Sequence, residues 1–162
     1  MSNGTGEGQF VTFSLDRQLF AVPVGVVREI LDHDEPAPIP RGPNFLLGLK
    51  DVRGQGVPVI DLRLKLGMTP TVRTQDTRIL VLDVPHGERS LSLGLVADKV
   101  FEVTTFDLNT VEPPPEVGVT WSSEYIAGVI LKDEQFVVIV DLGRMFAADH
   151  DVAALTSANL AA

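Results

Sequence analysis

Three histidines are the first residues to test for chemistry: His33 inside "DHDE" (32–35), His86, and His150 inside "DHD" (149–151). Carboxylates flanking an imidazole can hold a hard or borderline cation, but no two of these histidines have the spacing that would share a helix face. Solvated polar stretches are the plainer reading. A serine nucleophile fares no better, because "SLSLG" (90–94) lacks the glycine ahead of its serine that a nucleophile elbow needs. "GQG" (54–56) precedes a strand and opens no helix, so it offers neither the helix N-terminus nor the row of amides that cradles a phosphate. "GTGEG" (4–8) follows no strand and reads as part of a disordered arm over residues 1–8. Asp61 and Asp141 each close an apolar run, and each is expected to cap a short helix, worth about 1 kcal/mol. These residues predict no catalytic set, no metal site and no cofactor.

Composition narrows the partners. With 22 acidic residues against 13 basic ones, the net charge of −9 opposes any partner whose affinity comes from neutralising phosphates. Nucleic acid and anionic membrane surfaces are therefore excluded, and no run of about 18 apolar residues predicts direct membrane insertion. The start of the chain has no basic stretch followed by an apolar one, and there is no cysteine. A soluble cytoplasmic chain is expected, of one domain or two small lobes, long enough to bury roughly 70% of the surface its unfolded form exposes. Hydrophobic content of 44% with one Trp and one Tyr implies an aliphatic interior, and lobes of about seventy residues leave part of it exposed unless a partner covers it.

The elements that position these residues are mostly strands. "QFVTFSL" (9–15) alternates, with Phe10 and Thr12 on one face and Val11, Phe13 and Leu15 on the other, and a tight turn at Asp16-Arg17 predicts a hairpin. Pro23 suits the first turn of a helix over 24–32, with Val24, Val27, Ile30 and Leu31 facing inward. "EPAPIPRGP" (35–43) and "EPPPEVG" (112–118) are extended loops. Further strands are predicted over 45–52, 56–60, 78–84, 91–97, 99–106, 125–132 and 135–140, and a weak helix in the tail after residue 148 through Val152, Leu155 and Leu160.

An internal repeat organises the strands. "FLLGLKDVRGQGVPVIDLRLKL" (45–66) and "YIAGVILKDEQFVVIVDLGRMF" (125–146) superpose without gaps, matching Gly48 with Gly128, Ile60 with Val140 and Asp61 with Asp141. A fainter pairing sets 20–30 against 92–103, with Val27 opposite Val100 and Glu29 opposite Glu102. Two similar β lobes follow, roughly 9–66 and 77–147, with exchange of strands between them left open.

"VREI" (27–30), "PNFLLGLKDVRGQGVPVIDLR" (43–63), "SLGLVADKVFEV" (92–103) and "VTWSSEYIAGV" (119–129) resemble, in order and spacing, the CheW family of bacterial chemotaxis coupling proteins. The most diagnostic piece is the pattern G-x-x-N-L-R-G-x-x-x-P-h-h-D-L-R, from which this chain departs at Asp51 and Val52. Asp for Asn removes amide donors. The resemblance implies an all-β fold of two SH3-like five-stranded barrels around a hydrophobic core, over residues 9–147, with no enzymatic activity. It implies a non-catalytic adaptor that couples methyl-accepting chemoreceptors to the histidine kinase CheA through the kinase's regulatory domain, in arrays or in rings with other copies of itself.

The resemblance also places receptor contacts in a groove at Val27, Glu29, Gly48, Arg53, Gly54, Ile79 and Val103, and kinase contacts at Ile30 on one side and Glu112, Glu116 and Val117 on the other. A helical receptor tip needs aliphatic anchors and small residues for close approach, which Val27, Val103 and Gly48 supply. Arg53, with five donors, either clamps its own fold or reaches a partner, and Glu29 is its candidate partner or a solvated charge. Two other classes stand beside the adaptor: a scaffold of the same fold in an array controlling pili or development, and a small β-barrel metal-dependent hydrolase using the Asp/His clusters.

Overall fold

The computed structural model describes residues 6–38, 43–70, 72–86, 89–113 and 125–146. The central part of the first proline loop, most of the second, Glu116, Val117, His150 and the tail helix expected after residue 148 lie outside the described residues. The chain is mostly β: β1 Glu7–Leu15, β2 Gln18–Pro23, β3 Val27–Asp32, β4 Leu46–Val52, β5 Gln55–Asp61, α1 Leu62–Lys65, β6 Arg78–His86, β7 Arg89–Ala97, β8 Lys99–Asp107, β9 Ile126–Lys132, β10 Gln135–Val140 and α2 Leu142–Met145.

Two departures from sequence expectation have local causes. The helix expected over 24–32 is a single 3-10 turn at Val24–Val26 followed by β3. Branched Val and Ile side chains disfavour helix, and β6 offers β3 a partner at five positions from Val27↔Leu82 to Asp32↔Arg78. Val24 and Ile30, expected inside, are consequently exposed. Glu7 and Gly8, read as part of the arm, belong to β1 because Asp107 and Phe106 pair with them.

Two five-stranded sheets form, in the orders β8-β1-β2-β10-β9 and β3-β6-β7-β5-β4. Each draws strands from both repeat units, and each is joined internally by a parallel pair, β2 with β10 and β5 with β7. Alternation then sorts the side chains. Val11, Phe13, Leu15 and Phe20 of the first sheet meet Leu80, Leu82, Leu93 and Leu95 of the second in a shared core. The opposite faces enclose a smaller cluster each, around Phe10, Phe106 and Ile139 in one sheet and around Val57, Ile79 and Val96 in the other.

The repeat leaves matching local features. Asp61 Oδ1 accepts from the Arg63 amide and Asp141 Oδ1 from the Arg144 amide, both at 3.0 Å, so both aspartates cap their helices as their position predicts. Gly48 and Gly128 sit where the segment after the third strand of each unit crosses back. Ala37 and Leu49 exchange two backbone hydrogen bonds of 2.8 Å over Gly48, and Glu112 and Val129 exchange two of 2.9 Å beside Gly128. The edge strands β3 and β8 are bulged at equivalent points, by Arg28 opposite Val81–Leu82 and by Phe101–Glu102 opposite Thr12. Bulges of this kind twist an open edge away from unwanted pairing.

Helix α1 lies between the sheets. Arg63 is 7% exposed, and its Nη2 donates to Asp16 Oδ1 at 2.5 Å in the β1–β2 turn and to Asp98 Oδ2 at 2.6 Å where the chain passes from β7 to β8. The hydrogen bond to Asp98 holds the guanidinium above its usual range. Lys65 Nζ lies 4.7, 5.4 and 5.6 Å from the ring centroids of Phe45, Tyr125 and Phe146, within cation–π range of all three.

Candidate functional site

The turn between β4 and β5 gathers the largest group of sequence-predicted residues. Arg53 and Gly54 both have positive φ, 53° and 83°, the pair of values a tight two-residue hairpin needs. The Gly54 amide donates to Asp51 Oδ1 at 2.9 Å. The aspartate that departs from the family pattern therefore serves this turn as an acceptor, and the lost amide donors are not needed there.

Arg53 projects from the turn toward β3, where its Nε donates to Glu29 Oε2 at 3.1 Å. Its side chain is 78% exposed and that of Glu29 only 20%. Arg53 thus holds a carboxylate of its own fold from an exposed position, and it is no buried clamp. The bulge at Arg28 re-aims its neighbour's strand, and Arg28 itself reaches Gln55 Oε1 at 3.1 Å and Asp83 Oδ1 at 3.4 Å. Ser92 Oγ donates to the same Asp83 oxygen at 2.8 Å. A polar belt thus runs from β3 across β6 and β7 to the start of β5, with Arg53–Glu29 as its exposed end. Arg28, Gln55, Asp83 and Ser92 escaped sequence reasoning, since Arg28 lies 27 to 64 positions from each of its partners and so leaves no local signal.

An exposed ion pair contributes little. Arg53→Ala is expected to lower stability by less than about 1 kcal/mol, and Glu29→Arg combined with Arg53→Glu should recover part of whatever either single change loses. Urea unfolding of the native protein and the four variants checks this; a loss near 3 kcal/mol for Arg53→Ala would mean the side chain is buried after all.

The remaining predicted residues divide. Val27 is half-buried on β3 two positions from Glu29, and Ile30 is 45% exposed on the same strand. Val103 is 52% exposed on β8, in the other sheet, beside Phe101 at 40%. Gly48 is not open to a partner, because a Cβ there would lie 2.1 Å from the Ala37 carbonyl oxygen. Ile79, 1% exposed, is a core residue of the second sheet. Both act on the surface only through packing. Glu112 is exposed, its backbone held by Val129. A further apolar pair, Leu131 and Phe136, faces each other across the β9–β10 hairpin at 61% and 54% exposure, where the matching positions of the first unit are Asp51 and Gly56.

The "DHDE" stretch assembles no metal ligands. Asp34 Oδ1 is taken by Lys50 Nζ at 2.6 Å, which holds its carboxyl below the usual range, and Asp32 faces Arg78 at 3.6 Å. Among the described residues, no three His, Asp or Glu side chains converge. His33 Nδ1 is buried and without a partner among the described residues, and burial, reinforced by Arg73, pushes its pKa down. The folded state then binds this proton less readily than the unfolded chain, so the stability His33 contributes is present above its unfolded pKa of about 6.5 and lost as pH falls below it. His33→Asn should flatten the fall in melting temperature between about pH 7 and 5; an unchanged slope would remove His33 as its source.

The CheW-like domain family matches residues 9–150. Chemotaxis protein CheW of Klebsiella aerogenes is 29% identical over 142 residues, covering 88% of this chain and 83% of that one. Protein FrzA of Myxococcus xanthus is 30% identical over 124 residues, covering 76% of this chain and 74% of its own. The crystal structure of scaffolding protein TtCheW from Thermoanaerobacter tengcongensis superposes with a TM-score of 0.78 at 29% identity, covering 88% and 90% of the two chains.

Proposed function

The chain belongs to the CheW-like domain family, and from that premise we propose that it is a non-catalytic adaptor holding chemoreceptor tips to the regulatory domain of the histidine kinase CheA. The observation that carries the assignment is the exposed Arg53–Glu29 pair standing beside half-buried Val27 on the open edge strand β3. A helical hairpin docking there finds an aliphatic anchor, directional donors and a strand edge. Val103 and Phe101 on β8 present a second exposed apolar surface, on the other sheet. Ile30 on β3, with Glu112 and the segment of Glu116 and Val117, is assigned to the kinase. No helix among the described residues is long and apolar enough to cross a membrane. The adaptor works in the cytoplasm at receptor arrays, and other copies of the chain can share the ring.

Titration of the purified protein with a receptor-tip fragment, and separately with the kinase's regulatory domain, tests the assignment. Arg53→Ala should weaken the receptor fragment alone. Ile30→Lys, which sets a charge in an apolar contact, should weaken the kinase domain alone by about tenfold with the melting temperature kept. If the native protein binds neither partner the adaptor reading fails, and if both variants bind both partners normally the two surfaces are misplaced. A second reading, the same scaffold in an array controlling pili or development, is favoured by FrzA, which lacks the chemotaxis name and is 30% identical to this chain over 124 residues. Recovery of the bound kinase from cell extract decides between the two.

A further inference from the structure

Both repeat units end in the same four-residue helix, but only α1 carries two cations that reach the other sheet: Arg63 and Lys65 occupy positions matched by Gly143 and Met145 in α2. Two residues apart on one turn, they point to different surroundings. Arg63 holds the Asp16 turn of the first sheet and, through Nε at 3.2 Å and Nη2 at 2.6 Å, grips both carboxylate oxygens of Asp98. Asp98 also accepts from the Asp16 amide at 2.6 Å and donates its own amide to Ser14. Lys65 is placed over Phe45, which precedes β4 of the second sheet, and over Tyr125 and Phe146, which flank β9 and α2 on the side of the first. Phe45 and Tyr125 are repeat mates, so this ammonium sits where the two units meet.

The burial that drives the shared apolar core is non-directional and by itself would tolerate small slides of one face over the other. A forked guanidinium and an ammonium over ring faces are directional and would not. The chain crosses between the sheets at two places early and late in the fold. The crossing at Val24–Val26 has no polar side chain to anchor, whereas the crossing at Asp98 is gripped by Arg63.

We propose that α1 is a clasp that fixes the placement of one sheet against the other, with Arg63 and Lys65 as positioning residues for the surfaces on β3 and β8. Asp98 immediately precedes β8, so gripping it sets where Phe101 and Val103 stand relative to Val27, Glu29 and Ile30 across the molecule. The clasp stands on geometry alone; its consequence for partners rests on the adaptor reading.

The chain has no cysteine, so spin labels at Gln9→Cys on β1 and Ser90→Cys on β7 report the distance between sheets by double electron–electron resonance. The native background should give one narrow distribution. Arg63→Met with Lys65→Met should broaden or shift it while far-ultraviolet circular dichroism is kept. Simultaneous binding of receptor fragment and kinase domain should fall about tenfold, more than either binding alone. Arg63→Lys, which keeps one donor group on the carboxylates, should restore part of the narrowness. If the double variant does not fold, Lys65→Met alone carries the distance measurement, since it leaves the grip of Arg63 on Asp16 and Asp98 in place. An unchanged distribution in the folded variant overturns the clasp. Should the native protein bind neither partner, the adaptor reading falls and the distances by themselves decide the proposal.

Discussion

Gly48→Ala is expected to destabilise the protein by roughly 4 kcal/mol, the largest loss from a methyl group added at any of the described glycines. The added Cβ would lie 2.1 Å from the Ala37 carbonyl oxygen, 2.7 Å from its carbon and 3.1 Å from Pro38 Cα, all backbone atoms held by the paired hydrogen bonds to Leu49. Nothing there can rotate away. The φ of +156° adds strain for any residue with a side chain. Gly128→Ala should cost about half as much, because its nearest obstacle at 2.3 Å is a Val111 methyl that can turn aside, although Glu112 O stands at 3.1 Å. Gly54→Ala meets nothing within 4 Å and should cost only the positive φ of 83°, about 1 kcal/mol. Urea midpoints for the three variants give the order directly; equal losses at Gly48 and Gly54 would show that Ala37 does not cross where the structure places it.

Arg63→Ala comes second, with an expected loss of about 3 kcal/mol. The guanidinium is nearly buried, and removing it leaves Asp98, whose side chain is 23% exposed, facing Asp16 without a cation between them. Asp16 is 55% exposed and can be rehydrated, which keeps the loss toward the lower end of what a broken buried pair costs. Arg63→Lys should fall between, since a single ammonium cannot span both carboxylates. The comparison with Arg53→Ala is the decisive one, because Arg53 holds one carboxylate at 3.1 Å from an exposed position, whereas Arg63 holds two, at 2.5 and 2.6 Å, from a buried one. Equal midpoints for the two alanine variants would contradict the buried network.

The sequence carried the strands and the repeat because both are written in local periodicity. Phe10 against Val11, Phe13 and Leu15 shows the strand faces directly, and the Asp-Leu pairs at 61 and 141 announce their helix caps. Period failed at 24–32, where Val27, Ile30 and Leu31 fit a helical spacing as well as a strand on the edge of a sheet; only the pairing with β6 decides. The candidate surface was legible in part. Glu29 of the 27–30 segment and Arg53 of the 43–63 segment do meet, as an acid and a base singled out as partners would. Gly48 belongs to the 43–63 segment and Ile79 to a predicted strand, but whether either faces outward depends on Ala37 and on the enclosed cluster of the second sheet, which no spacing encodes. Asp16 and Asp98 lie 47 and 35 positions from Arg63, and nothing near either one marks it as a partner.

The parallel seam between β2 and β10 joins residues 118 positions apart, as in the hydrogen bond from Gln18 to Phe136. The hairpin β1–β2 therefore leaves the ribosome with both flanks unpaired and waits for β8 and β10 to be made. At about 5–20 residues per second the wait is on the order of ten seconds, during which the stacked Phe13 and Phe20 lie on a hairpin without its flanking strands. The second sheet closes sooner, once β7 is out, so the last-made strands complete the first-made sheet, and the N-terminal hairpin is the part of the nascent chain that most needs shielding.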